Sequence, residues 1–191
     1  METIWLVNFP LPPSVNEYLM PVAAGWRTSK TGKRYQKARF VKTEPHTIYL
    51  EKCRAWRLLH NTAWTELRAE LQGKVRAARA AKEKIAFRVD TFFAFEDSRL
   101  WTSGNLPQQL DADNRLKPCR DALAHLLEID DKYFFSGFFE KVSAPSKPEE
   151  CTFIRISACT PRTIQDLRME IKRERDLKAP QSPYAGGRVG P

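Results

Sequence analysis

Ile85-Ala86-Phe87-Arg88-Val89-Asp90-Thr91-Phe92-Phe93-Ala94-Phe95 sets Ile85, Phe87, Val89, Thr91, Phe93 and Phe95 at every second position, with Ala86, Arg88, Asp90, Phe92 and Ala94 between them. Side chains alternate across a strand, so this period of two predicts a strand with one face in a core. A strand so apolar needs a covering layer, and helices provide one where the flanking segments repeat every three or four residues.

The flanks have that repeat. From about Pro45 to Gln72, Ile48, Cys53, Trp56, Leu59, Ala63, Leu67 and Leu71 recur at three to five residues, and Pro45 suits a first turn. One long helix is expected, extending through Val75 towards Lys84. Downstream, residues 96–110 read as a loop, and a second helix is expected from Leu116 or Pro118 to Leu127, because Pro118 is tolerated only in a first turn. Tyr133 to Val142 and Cys151 to Ala158 read as two strands joined by Ala144-Pro145-Ser146-Lys147-Pro148 into an antiparallel hairpin. Ile4-Trp5-Leu6-Val7 is a first short strand, stopped by Pro10, Pro12 and Pro13.

This order predicts an α+β fold in which a small mixed or antiparallel sheet of about four strands is covered by helices. Residues 1–160 form the domain; residues 161–191 hold a charged helix from about Thr163 to Leu177 and a Gly- and Pro-rich tail expected to be flexible. No internal repeat is visible.

Of 191 residues, 42% are apolar, enough for one domain with a true core. Lys and Arg number 32 against 23 Asp and Glu, a net +9 that favours a polyanion, nucleic acid ahead of an anionic membrane surface. The excess is local: residues 26–57 carry ten basic residues against Glu44 and Glu51. Interleaved with Tyr35 and Phe40, the residues Arg27, Lys30, Lys33, Arg34, Lys37 and Arg39 read as a DNA-contacting arm. No run approaches the ~20 apolar residues of a membrane span, and Met1 to Trp5 lacks the basic start of a signal peptide, so a cytoplasmic protein without a membrane partner is expected. Cys53, Cys119, Cys151 and Cys159 lack C-x-x-C spacing and the three histidines form no close pair, which argues for reduced thiols and against structural zinc.

Residues 111–131 reverse the sign, with Asp111, Asp113, Asp121, Glu128, Asp130 and Asp131 against Arg115, Lys117 and Arg120. Clustered carboxylates repel a phosphate backbone unless they hold a cation. If residues 111–113 are extended, Asp111 and Asp113 point to one side; Asn114 caps the following helix, and Lys117 and Asp121, four apart, share a face. The helix then returns Asp130-Asp131 within reach as a third carboxylate. An oxygen-only ligand set suits Mg²⁺, with Mn²⁺ as its substitute, and Lys117 offers a point charge to a phosphate gaining negative charge.

The run D-x-D-N-x-x-K-x-x-x-D-A-L from Asp111 to Leu123, followed by Asp130-Asp131 and by Lys141 ten residues later, resembles the signature of the RusA family of Holliday junction resolvases. Pro12-Pro13-Ser14-Val15-Asn16-Glu17-Tyr18 resembles that family's N-terminal P-P-S-x-N-x-x-Y, and the likeness spans roughly residues 3–160. It implies a RusA-like fold and a homodimer that cuts branched DNA, four-way junctions above all, by magnesium-dependent hydrolysis. Asp111, Asp113 and Asp131 take the metal-carboxylate roles and Lys117 that of the catalytic lysine. Asp130 is a further metal-site candidate, and Asn16 and Lys141 are candidate DNA contacts. The chain departs from the pattern with Gln108-Gln109-Leu110 in place of a basic run. It also departs with a connection, residues 124–129, that lacks a glycine and is one residue short. A silent branched- or single-stranded-DNA binder of the same fold is the rival reading, and a hydrolase of small phosphate esters is a third. His125 is read as a partly buried structural histidine, and the aromatic run from Tyr133 to Phe139 as core.

Overall fold

The computed structural model describes residues 3–108 and 110–178, without the side chains of Tyr18, Leu19, Met20, Ala23, Tyr35, residues 37–40 and residues 175–178. The chain divides into two compact units, Met1–Cys159 and Thr160–Pro191. The first runs β1 (Ile4–Phe9), α1 (Val15–Tyr18), β2 (Leu19–Thr28), β3 (Arg34–Lys42), α2 (Glu44–Leu59), α3 (Asn61–Ala81), β4 (Ala86–Glu96), α4 (Asp97–Leu100), α5 (Asp113–Leu127), β5 (Phe134–Ser136), β6 (Phe139–Ala144) and β7 (Cys151–Cys159). The second holds α6 (Ile164–Lys178), where Asp166 accepts from the Thr163 N–H at 2.7 Å and its hydroxyl at 2.8 Å. The tail beyond 178 lies outside the described residues.

The fold is α+β, built on a five-stranded mixed sheet with β4 at its hub. β7 lies antiparallel on one side of β4, with Val89 opposite Ile156 and Thr91 opposite Ile154, and β1 closes the sheet beyond β7. β5 and β6 lie parallel to β4 on its other side. The expected hairpin of 133–142 with 151–158 is therefore absent: those segments flank β4 on opposite sides. The first is also two strands rather than one, which raises the strand count from about four to five. Both changes trace to β4. Asp90 Oδ1 accepts the Phe138 N–H at 3.1 Å, and the Thr91 N–H donates to the Phe138 carbonyl at 3.0 Å, binding this stretch to β4. Between β5 and β6 the chain passes so close to the Val89 carbonyl that only Gly137, at φ +149°, fits.

The alternation of β4 sorts its faces as expected, with Phe87, Val89, Phe93 and Phe95 in the core beside Ile154, Ile156, Leu6 and Phe9. Tyr49, Cys53 and Trp56 of α2, Trp64, Leu67 and Leu71 of α3, and Cys119, Leu123 and Leu127 of α5 complete it. Burying such side chains stabilises by about 1.5–3 kcal/mol each before ordering costs.

The single long helix expected over 45–72 is broken at His60. The His60 Nδ1 lies 2.8 Å from the Trp56 carbonyl and its ring stacks on Trp56 at 4.3 Å, so a side chain rather than Gly or Pro ends α2. The core face shifts across the break: Leu59 is 83% exposed and Trp64, not Ala63, is buried. Pro118 sits well inside α5, whose N-cap is Ala112, so the helix begins before the expected Leu116 or Pro118.

β2 and β3 form a sheet of their own, an antiparallel ribbon. The Thr43 hydroxyl donates to the Glu17 carbonyl, joining the points where the chain enters and leaves the ribbon. Among the described residues, no helix is long and apolar enough to cross a membrane.

Candidate functional site

The two motif patches of the sequence meet at the first turn of α5. Arg115 Nη1 donates to the Pro12 carbonyl, the Arg115 guanidinium lies 5.4 Å from the centre of the Phe95 ring, and α1, carrying exposed Asn16, packs against the start of α5. Residues 111–113 are not extended, since Ala112 has helical angles (φ −72°, ψ −29°) and Asp113 is the first helical residue. Strand alternation therefore does not set Asp111 and Asp113 on one side, although both are exposed within one turn. Asn114 lies inside the helix instead of capping it, and its Nδ2 donates to Asp111 Oδ2 at 3.3 Å.

From Asp113 a row of side chains four residues apart runs along α5: Asp113, Lys117, Asp121 and His125. Lys117 Nζ donates to Asp121 Oδ1 at 3.2 Å. His125 is exposed, against the expectation of a partly buried histidine. Asp121 and His125 open onto a cleft of about 620 Å³, whose other lining includes Glu128, Asp130 and Asp131, Lys42 at the end of β3, and His46 and Arg54 of α2. Acidic groups thus face basic ones. Burial first, then Lys42, holds the His46 imidazole below its ordinary pKa, while Asp121 pulls it up.

The turn after α5 sets Asp130 and Asp131 here. Glu128 adopts the left-handed conformation (φ 54°), the Ile129 N–H donates to the Ala124 carbonyl at 3.1 Å, and Ile129 is buried. This is the Schellman closure usually built on glycine. Glu128 takes that position here and also pairs with Arg68 of α3. Asp130 is engaged already: Oδ1 accepts the Lys132 N–H at 3.1 Å and Oδ2 the Lys132 ammonium at 2.5 Å. These bonds hold its carboxyl below the ordinary value.

The candidate carboxylates fall into two groups, Asp111 and Asp113 at the start of α5, and Asp121, Asp130 and Asp131 at the cleft. Eight helical residues, about 12 Å, separate Asp113 from Asp121. The expected return of the helix to its own start does not occur. Among the described residues no group of three or more His, Cys, Asp or Glu side chains stands close enough to hold a metal ion. By type, the aspartate oxygens fit a hard divalent cation.

Arg27, Lys30, Lys33 and Arg34 are exposed at and near the tip of the β2–β3 ribbon, and Lys37 and Arg39 lie on β3. Lys141 is exposed on β6, in register with Phe93, and does not line the cleft. Phe135 and Phe139, expected in the core, are 62% and 41% exposed, because β5 and β6 lie at the sheet edge. Lys42 and Arg54 belong to the basic stretch 26–57, whereas His46 is not singled out by the sequence; its signal is the spacing by four of His46, Leu50 and Arg54 along α2.

A scan against protein-family models finds no match to this chain, and a search of curated proteins finds no similar one.

Proposed function

We propose that the chain is a divalent-metal-dependent, structure-selective DNA endonuclease of the RusA type, a homodimer that resolves four-way junctions by paired hydrolysis. One observation carries the reading: the row Asp113, Lys117, Asp121 and His125 leads from Asp111 along α5 into the cleft that holds Asp130 and Asp131. Asp111, Asp113 and Asp131 are the residues that would hold Mg²⁺ or Mn²⁺. Such an ion polarises a phosphodiester and activates water.

The chain's own residues supply the rest. Lys117, held by Asp121, keeps a positive charge on the α5 row to stabilise a phosphate as its charge grows. Lys42 and Arg54 offset the carboxylates across the cleft and receive phosphates on either side of the cut. The basic ribbon holds a DNA arm outside the cleft.

Cleavage of a labelled four-way junction beside linear duplex of the same sequence, with Mg²⁺ or EDTA, tests this reading. Paired nicks in the junction alone, dependent on metal and lost in Asp113→Asn, are expected; cutting that persists in Asp113→Asn overturns the assignment. The separation of the two carboxylate groups within one chain favours a second reading, a binder of branched or single-stranded DNA without hydrolysis. Tight junction binding with no cutting in Mg²⁺ is its signature.

A further inference from the structure

From Tyr18 to Thr43 the sequence holds seven basic residues and no acid, and this stretch is the β2–β3 ribbon. A two-stranded ribbon is about 5 Å across its backbone, and the nine residues of β3 extend about 30 Å. The major groove of B-DNA is about 12 Å wide and admits such a ribbon with its side chains.

The tip is rigid. The Ser29 N–H donates to the Lys33 carbonyl at 2.9 Å, the Gly32 N–H to the Ser29 carbonyl at 3.0 Å, and Gly32 takes φ +81°. Behind it, Trp26 lies opposite Gln36 and Thr28 opposite Arg34, so these four share one face, while Arg27, opposite Tyr35, is on the other. The Arg34 guanidinium lies 5.2 Å from the centre of the Trp26 ring, which is 60% exposed. That contact, worth about 0.5–1 kcal/mol at an exposed site, biases the direction of Arg34 before any partner arrives.

We infer that the ribbon enters the major groove of a duplex arm with the Trp26, Thr28, Arg34 and Gln36 face against the bases, so that Arg34 and Gln36 read sequence. Arg34 has the paired donors that meet the O6 and N7 of guanine, and Gln36 the donor and acceptor that meet adenine; Thr28 and Trp26 offer apolar contact to a thymine methyl. Lys30, Lys33 and Arg27 take phosphates and set position without reading sequence. Duplex is favoured over a single strand because Arg34 already covers one face of Trp26, the aromatic surface that stacking on bases would need.

The inference rests on the DNA-binding part of the proposed function and not on its chemistry, so its test uses Asp113→Asn protein in EDTA, where no strand is cut. Fluorescence anisotropy with duplexes of about 20 base pairs differing at their central steps, and with the matching single strands, measures affinity against salt. In this background, Arg34→Lys, which keeps the charge, and Gln36→Ala are each expected to shrink the preference among duplexes roughly tenfold with little change in salt slope. Lys30→Ala and Lys33→Ala are expected to weaken all duplexes alike and lower the slope by about one each. Methyl green, which occupies the major groove, displaces the protein, and netropsin in the minor groove does not. Tighter binding to single strands, displacement by netropsin, or equal losses on every duplex in Arg34→Lys and Gln36→Ala overturns the inference; binding that behaves as expected without cleavage by the unmutated chain in Mg²⁺ overturns only the enzymatic reading.

Discussion

Arg155 clamps Asp90 across the central pair of strands: Nη2 lies 2.5 Å and Nε 2.9 Å from Asp90 Oδ2. Arg88 Nε approaches both oxygens of the same carboxylate, at 2.9 and 3.0 Å, and the Phe138 N–H completes its shell. Asp90 has no exposed surface, yet Arg88 and Arg155 each reach solvent and lie over the Phe138 ring. Asp90 is thus a buried anchor that joins β4, β7 and the start of β6.

Removing that anchor leaves two guanidiniums without their counter-charge and frees the Phe138 N–H. Asp90→Ala is expected to lower stability by about 3 kcal/mol, read from urea denaturation. A loss below about 1 kcal/mol would show that the arginines are satisfied by water.

The same residue sets an acid limit. Burial alone would raise the Asp90 carboxyl, but the hydrogen bonds from Arg155, Arg88 and the Phe138 N–H outweigh it and hold the pKa below the ordinary value. The unfolded chain therefore takes up this proton first, near pH ~3.9. The stabilisation is complete above that pH and disappears as pH falls towards the folded value. Acid unfolding of the unmutated protein should be steeper below pH ~4 than that of Asp90→Asn.

Gly137→Ala should be among the most damaging single changes. A Cβ there would sit 1.9 Å from the Val89 carbonyl oxygen, which is backbone at the centre of the sheet. A loss of about 3 kcal/mol or more is expected, seen as a lower midpoint of thermal unfolding, whereas Gly104→Ala, whose nearest contact is 3.8 Å, should be close to neutral.

The thiols divide by burial. Burial pushes Cys119 up to about 12 and Cys53 still further, while Cys151 is raised less and Cys159 is partly exposed. A thiol reagent at pH 8 should modify Cys151 and Cys159 in the folded protein and reach Cys53 and Cys119 only after denaturant is added.

Asp113 and Asp131 lie at opposite ends of α5, so in the proposed homodimer a centre that uses both would draw them from two copies. Asp113→Asn and Asp131→Asn, each inactive alone, should regain about a quarter of the unmutated nicking once mixed and exchanged, because half the dimers then carry one intact pair. No regain would place the work of both residues within one chain.

Much of this was legible in the sequence because local chemistry decided it. The alternation of β4 and the apolar face of α5 fixed the sheet and its cover. What escaped depended on contacts distant in sequence. Nothing near Phe138 announces that Asp90, 48 residues away, will take its N–H and split a strand in two. His60 ends a helix through its own ring, with no breaker residue to mark the place. At the site, the residue types of the α5 motif were readable, but the expected convergence of its carboxylates is absent, because Ala112 is helical and α5 sets Asp113 and Asp121 two turns apart. The side of the cleft formed by Lys42, His46 and Arg54 did not stand out from the other charges of residues 26–57, because only the packing of α2 against α5 brings it to face the acidic residues.

The bond from Thr43 to Glu17 has an evolutionary meaning. The ribbon leaves and rejoins the body at one pinned point and pairs with itself in its own sheet, so it is a detachable module. Its tip, far from Lys42 at the cleft, can change by insertion or deletion while the hub strand and the α5 row stay as they are. On the proposed reading, duplex contact by the ribbon and hydrolysis on the body would then diverge independently in descendants of one gene.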